Sequence, residues 1–91
     1  MALTWPNKDP DEVLDYTLDW ADRLGDDTIS TSEWPDPPDG ITIDSDDNDL
    51  TSTTIWLSGG EVDTQYIFTN RIVTAGGRTM DQSVKVKVKT R

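Results

Sequence analysis

From position 83 the chain reads Ser-Val-Lys-Val-Lys-Val-Lys, and this alternation constrains the fold more than any other feature of the sequence. Successive side chains of an extended strand point to opposite faces, so Val84, Val86 and Val88 share one face and Lys85, Lys87 and Lys89 the other. A helix would scatter the two sets around its circumference. Residues 80–88 are therefore read as a terminal strand with one dry face and one solvated face, whose lysines also discourage pairing with stray chains.

The same rule finds further strands. In residues 65–74, Tyr66, Phe68 and Ile72 share one parity while Ile67, Thr69, Arg71 and Val73 share the other, so both faces are expected to touch protein. Thr53-Thr54-Ile55-Trp56-Leu57 is a third, closed by Ser58-Gly59-Gly60; Ile41-Thr42-Ile43 is a short fourth, and residues 28–34 a fifth. Between them, Pro35-Asp36-Pro37-Pro38-Asp39-Gly40 and Asp44-Ser45-Asp46-Asp47-Asn48-Asp49 read as loops. Proline has no N–H donor, and clustered Asp, Asn and Ser bond their own backbone in preference to a ladder.

Two readings stand for residues 9–24. Asp9 as N-cap, Pro10 behind it, Asp11 and Glu12 in a first turn, and Val13, Tyr16, Trp20 and Leu24 near helical spacing describe a helix. Leu14, Tyr16, Leu18 and Trp20, alternating with Asp15, Thr17 and Asp19, describe a strand. Six or seven short strands with turn signals between them predict an all-β fold, an immunoglobulin-like β-sandwich. Within it Tyr66 is either a tyrosine corner, its phenol bonded back to the preceding loop, or a half-buried strand aromatic. The expected organisation is a single domain over residues 9–91, preceded by an N-terminal arm, residues 1–8, that lacks a strand pattern.

With 91 residues and no cysteine, such a domain has one thin core and no disulfide or thiolate metal site to brace it. The net charge of −10 is split along the chain: residues 1–50 hold fifteen Asp and Glu against Lys8 and Arg23, and residues 51–91 hold three acids against six bases. An acidic first half disfavours nucleic-acid binding, which runs on cationic neutralisation of phosphate. No run of roughly 18 apolar residues suggests a membrane span, and the N-terminus has no signal-peptide pattern, so a soluble protein without membrane contact is expected.

Chemistry has little to work with. Without His or Cys, the serine triad, the cysteine nucleophile and the common zinc sites are gone, and abundant carboxylates are the normal content of a solvated surface. Asp44, Asp46 and Asn48 match the first, third and fifth positions of a calcium loop, but Asp49 stands where glycine is needed and Ile55 where a bidentate Glu belongs. The reading is a non-enzymatic protein with no metal and no cofactor. Of four tryptophans, Trp20 and Trp56 lie within alternating strands and are assigned to the core. Trp5 and Trp34 stand beside Pro6 and Pro35 at segment ends; together with Leu3 they are assigned to partner binding.

Residues in order along the chain also resemble a known family. Pro10-Asp11-Glu12-Val13-Leu14-Asp15-Tyr16, Asp19-Trp20 and Leu24-Gly25-Asp26-Asp27-Thr28-Ile29 resemble the opening of small tailed-phage fibre–tail adaptor proteins. Trp56-Leu57-Ser58-Gly59-Gly60, Tyr66, Thr69-Asn70-Arg71-Ile72-Val73-Thr74 and Ala75-Gly76-Gly77-Arg78-Thr79 resemble their closing strands. The likeness implies an immunoglobulin-like fold with residues 13–20 extended. It also implies a virion structural protein, assembled in the bacterial host cytoplasm and present in multiple copies per particle. Its place would be the neck or tail, holding fibre or accessory proteins among other tail, neck, fibre or capsid proteins. The motifs of the resemblance do not extend to residues 35–49, so a contact there is expected to be particular to this chain. Two alternatives remain open: a capsid decoration protein on the shell, and a carbohydrate- or Ca-binding module.

Overall fold

The computed structural model describes residues 3–35 and 37–90. Met1 and Ala2 of the expected arm, Asp36 of the proline-rich tract and Arg91 lie outside the described residues. Seven strands and one helical turn follow one another as β1 (Leu3–Thr4), β2 (Leu14–Asp19), α1 (Ala21–Leu24), β3 (Ile29–Glu33), β4 (Ile41–Asn48), β5 (Ser52–Gly59), β6 (Thr64–Thr74) and β7 (Thr79–Val88). They form two facing sheets, β1-β7-β6-β3 and β2-β5-β4, an immunoglobulin-like β-sandwich.

The alternation at the C-terminus sets the inner face as expected. Val84, Val86 and Val88 are fully buried, Lys85 and Lys87 are half-buried by their neighbours, and Lys89 is exposed. Of the two readings for residues 9–24 the strand is the one adopted: Leu14 to Asp19 pair in register with Leu57 to Ser52 of β5, and helix is confined to the single turn of α1. Tyr16 and Leu18 turn inward while Asp15, Thr17 and Asp19 stay wet.

Several expectations are corrected. The aspartate-rich tract is not a loop: β4 continues through Asn48, with Ser45, Asp46, Asp47 and Asn48 opposite Trp56, Ile55, Thr54 and Thr53. The extra residue between Ile43 and Ser45 makes a bulge, beyond which every β4 residue is exposed, so the carboxylates are extended and solvated at once. Charge on an edge strand is a common protection against stray pairing. The turn proper is Asp49-Leu50-Thr51, where one Asp49 carboxylate oxygen accepts from the N–H groups of Thr51 (2.9 Å) and Ser52 (2.8 Å).

The second correction is Trp56, which is 43% exposed and not in the core. Its parity decides this: Thr53, Ile55 and Leu57 are buried, so Trp56 points outward with Thr54 and Ser58. On β6, too, only one face is covered, since Ile67 and Val73 stand exposed opposite buried Tyr66, Phe68, Asn70 and Ile72.

Tyr66 is a corner: its phenol oxygen accepts the Glu61 N–H at 2.9 Å, five residues upstream. Gly40 makes room for this, since it sits at φ +96° and a Cβ there would lie 3.0 Å from the Tyr66 phenol oxygen.

Residues 3–8, expected as an arm apart from the domain, instead run along it. Leu3 and Thr4 pair parallel with Val84 and Lys85, and the Trp5 N–H donates to Lys85 O at 2.8 Å. Lys8 forms a bridge to Val88 and is fully buried; its Nζ donates to Asp9 O (2.9 Å) and Gly59 O (2.7 Å). Burial pulls the Lys8 pKa below the ordinary lysine value, against the opposing pull of Glu12, Asp9, Asp11 and Asp44.

Candidate functional site

The motifs that carry the family resemblance meet one another inside the fold. Asn70 is fully buried and uses its whole amide: Oδ1 accepts from Trp20 Nε1 (3.0 Å) and Thr53 Oγ1 (2.7 Å), and Nδ2 donates to Ser32 Oγ (3.0 Å) and Glu33 O (2.9 Å). One side chain on β6 thus ties together β3, β5 and the end of β2.

A second pair joins the Gly25-Asp26-Asp27-Thr28 segment to the Ala75-Gly76-Gly77-Arg78 turn. One Asp27 oxygen accepts the N–H groups of Thr28 and Gly76, each at 2.9 Å, and the other meets Arg78 Nε at 3.2 Å. The Thr74 hydroxyl, these two N–H groups and the guanidinium hold the Asp27 carboxyl at a pKa of about 2, against a smaller opposing effect of burial. Asp49 and Asp81 are likewise held below the usual carboxylate range, Asp49 by the Thr51 and Ser52 donors and Asp81 by Arg71. These groups are framework, and their chemistry is that of fixed anions.

The five residues assigned to partner binding separate by depth. Leu3 is 49% exposed and Pro6 is exposed, Pro35 is half-buried, but Trp5 and Trp34 are buried at 8% and 9%. The exposure expected of both tryptophans is not what the fold provides. Trp5 stacks on Tyr16 with centroids 4.8 Å apart and planes at 18°, and meets Trp34 at 6.0 Å. Its indole N–H donates to Thr17 O at 3.3 Å, while Tyr16 Oη donates to Pro6 O at 3.2 Å. A proline neighbour marks where a segment ends; it does not say which way the preceding aromatic points, and a thin core recruits any large ring within reach. Trp34 Nε1 is the one buried side-chain polar atom among the described residues with no hydrogen-bond partner.

What sequence reasoning missed lies on the outer faces. The strands β2, β4 and β5 carry five aspartates and no lysine or arginine, and Trp56 stands on their outward face between Asp15 and Ser45, its neighbours in the ladder. The next rung is Thr17, Thr54 and Asp47, with the Thr17 and Thr54 hydroxyls 3.0 Å apart. A shallow depression beside Trp56 is lined by Asp47, Asn48, Asp49, Ser52 and Thr54. The opposite sheet carries Arg71, Lys85 and Lys87 against Asp81 and Glu33, with Ile67 beside Lys85 in the ladder. The signal for Trp56 was present: it shares parity with Thr54 and Ser58.

Among the described residues no group of three or more acidic side chains is placed to hold a metal ion, and no helix is long and apolar enough to cross a membrane.

Comparison with known proteins gives a family and a fold likeness. The family model described as podophage GP4 fiber-tail adaptor protein gp77 matches residues 8–87. The solution structure of the PKD domain from KIAA 1837 protein is similar at 26% identity and a TM-score of 0.54, over 96% of this chain and 83% of that one. A search of curated proteins finds no match.

Proposed function

The chain belongs to the podophage GP4 fiber-tail adaptor family, and from that premise we propose that it is a non-enzymatic component of a tailed-phage particle, an adaptor at the neck or tail that holds fibre or accessory proteins through surface contacts. The observation that carries the reading is the extent of the family match, residues 8–87, which takes in β2 to β6 and nearly all of β7.

The internal chemistry agrees. Trp20 with Asn70 and Asp27 with Arg78, which lie in the motifs of the resemblance, brace the sandwich from within and leave partner contact to its outer surfaces. Catalysis finds no support in the carboxylates whose pKa is displaced. Asp27, Asp49 and Asp81 are all held more acidic than usual by donors they already engage, the wrong direction for a general acid.

On this reading the protein resides in the virion, is assembled in the bacterial host cytoplasm, and is present in several copies per particle, with other virion proteins as its only partners. The β1 edge is one contact: Leu3 and Pro6 face outward, Pro35 is half-covered, and Trp5 and Trp34 set their positions from beneath.

Quantitative mass spectrometry of purified particles with a reconstruction of the neck and tail tests the proposal. A small, symmetric set of copies at the tail end is the expected result. Copies spread over the shell would replace this reading with capsid decoration.

A further inference from the structure

The outward face of β2-β5-β4 is built unlike the rest of the surface. A large aromatic, Trp56, stands 43% exposed near the middle of a sheet, where burial on the other side is complete at Ile55 and Leu57. Among the described residues it keeps this open side toward solvent. Around it the ladder places Asp15 and Ser45 on the same rung and Thr17, Thr54 and Asp47 on the next. Asp44 is tied to the Ser58 hydroxyl at 3.1 Å, so the rung beyond is acidic too. No base occurs on these three strands.

From this geometry we infer that the Trp56 face is a docking surface for a basic protein segment that lays an arginine over the indole. This deepens the adaptor reading by giving the chemistry of one partner, and it rests on that reading for the partner being a protein. Three physical arguments select the occupant. Among aromatic side chains the indole face attracts a cation most strongly, and a guanidinium can stack on it while its N–H fork reaches carboxylates such as those of Asp15 and Asp47. The chain already uses the same contact internally, with the Arg23 guanidinium 4.9 Å from the centre of the Trp20 ring. The net charge of −10 draws a basic partner in over a Debye length.

A second copy is the competing occupant, since the other sheet offers Arg71, Lys85 and Lys87. Its charge argues against it. Two chains of −10 repel, whereas a basic segment of another protein is attracted throughout its approach.

The test is titration of the intact protein, labelled for nuclear magnetic resonance, with blocked hexa-arginine, hexa-lysine and hexa-glutamate peptides at low and moderate salt. Hexa-arginine is expected to shift the Trp56 indole N–H and the backbone amides of Asp15, Thr17, Thr54 and Ser58 while leaving Asp22, Asp26 and Asp39 nearly unmoved. Trp56→Ala should remove the preference for arginine over lysine, and Asp15→Lys should weaken hexa-arginine binding by about tenfold, the size of one aromatic or charge contact in a partly dry site.

Shifts spread evenly over all acidic segments, or equal binding of the two cationic peptides, would overturn the proposal. So would a concentration-dependent Trp56 shift with no peptide present, which would assign the face to a second copy. Asp15→Lys, at an exposed position, keeps the test open if Trp56→Ala perturbs the sheet. These outcomes are independent of copy number in particles, so failure here and failure of the adaptor reading are told apart.

Discussion

Trp5 and Trp56 are the same residue in two regions that the fold treats in opposite ways. Trp5 comes from a segment with no strand pattern, yet it is buried, stacked on Tyr16 and in contact with Trp34. Trp56 comes from a well-patterned strand in an apolar run, Ile55-Trp56-Leu57, yet it faces solvent. Local hydrophobicity is therefore a poor guide to depth in a sandwich this thin. Strand parity decides it inside a strand, and the availability of neighbouring rings decides it at the ends.

The comparison breaks most visibly by truncation of the inner ring. Trp5→Ala is expected to cost about 3–5 kcal/mol, because the stacked face of Tyr16 and the edge of Trp34 lose their neighbour at the end of the core. Urea denaturation of the full chain measures this, and a loss under 1 kcal/mol would return Trp5 to the status of a surface group. For the same reason, deletion of residues 1–8 should destabilise the domain and not simply trim an arm.

Asn70→Ala comes next, at about 2–4 kcal/mol, since it leaves the Trp20 indole N–H, the Thr53 hydroxyl and the Glu33 carbonyl without their partner in a buried site. The matching measurement is the denaturation midpoint together with the near-ultraviolet signal of Trp20. Tyr66→Phe should cost about 1 kcal/mol by freeing the Glu61 N–H, with no cost if that N–H finds water.

Asp27→Asn sharpens the comparison at the opposite end of the sandwich through its pH dependence. The folded pKa of about 2 lies below the ordinary carboxylate value, so the ionised group stabilises the fold above roughly pH 4 and that contribution is lost as pH falls through about 2. The gap in melting temperature between wild type and Asp27→Asn should therefore be widest near neutrality and narrow on acidification. A gap that is constant with pH would show that the carboxylate charge is not what matters.

The smallest expected effect is the one that completes the contrast. Trp56→Ala should change stability by no more than about 0.5 kcal/mol, the usual range for an exposed site, while abolishing arginine selectivity on that face. A large loss of stability would mean that Trp56 braces the sheet after all.

Much of the architecture was legible from residue order. The valine–lysine alternation of β7 and, in its strand reading, the Leu14 to Trp20 alternation each assign an inner and an outer face by the period of two, a property of the extended backbone that needs no knowledge of neighbours; the parity of β6 sorts its side chains into two sets without telling which set is wet. The tyrosine corner was likewise visible as one of two options. The aspartates of β4 were misread because composition reports what a residue prefers to do alone, and here the partner strand β5 supplied a ladder that outweighed local turn preference.

By itself, then, the sequence determined an all-β sandwich, its family and the two faces of its last strand. Only the tertiary structure decided that Trp5 would meet Trp34, that Asn70 would collect partners from three other segments, and that an acidic sheet would carry one open tryptophan. Those facts depend on residues far apart in the chain, and their pairing is set by how two sheets pack, which no local pattern encodes.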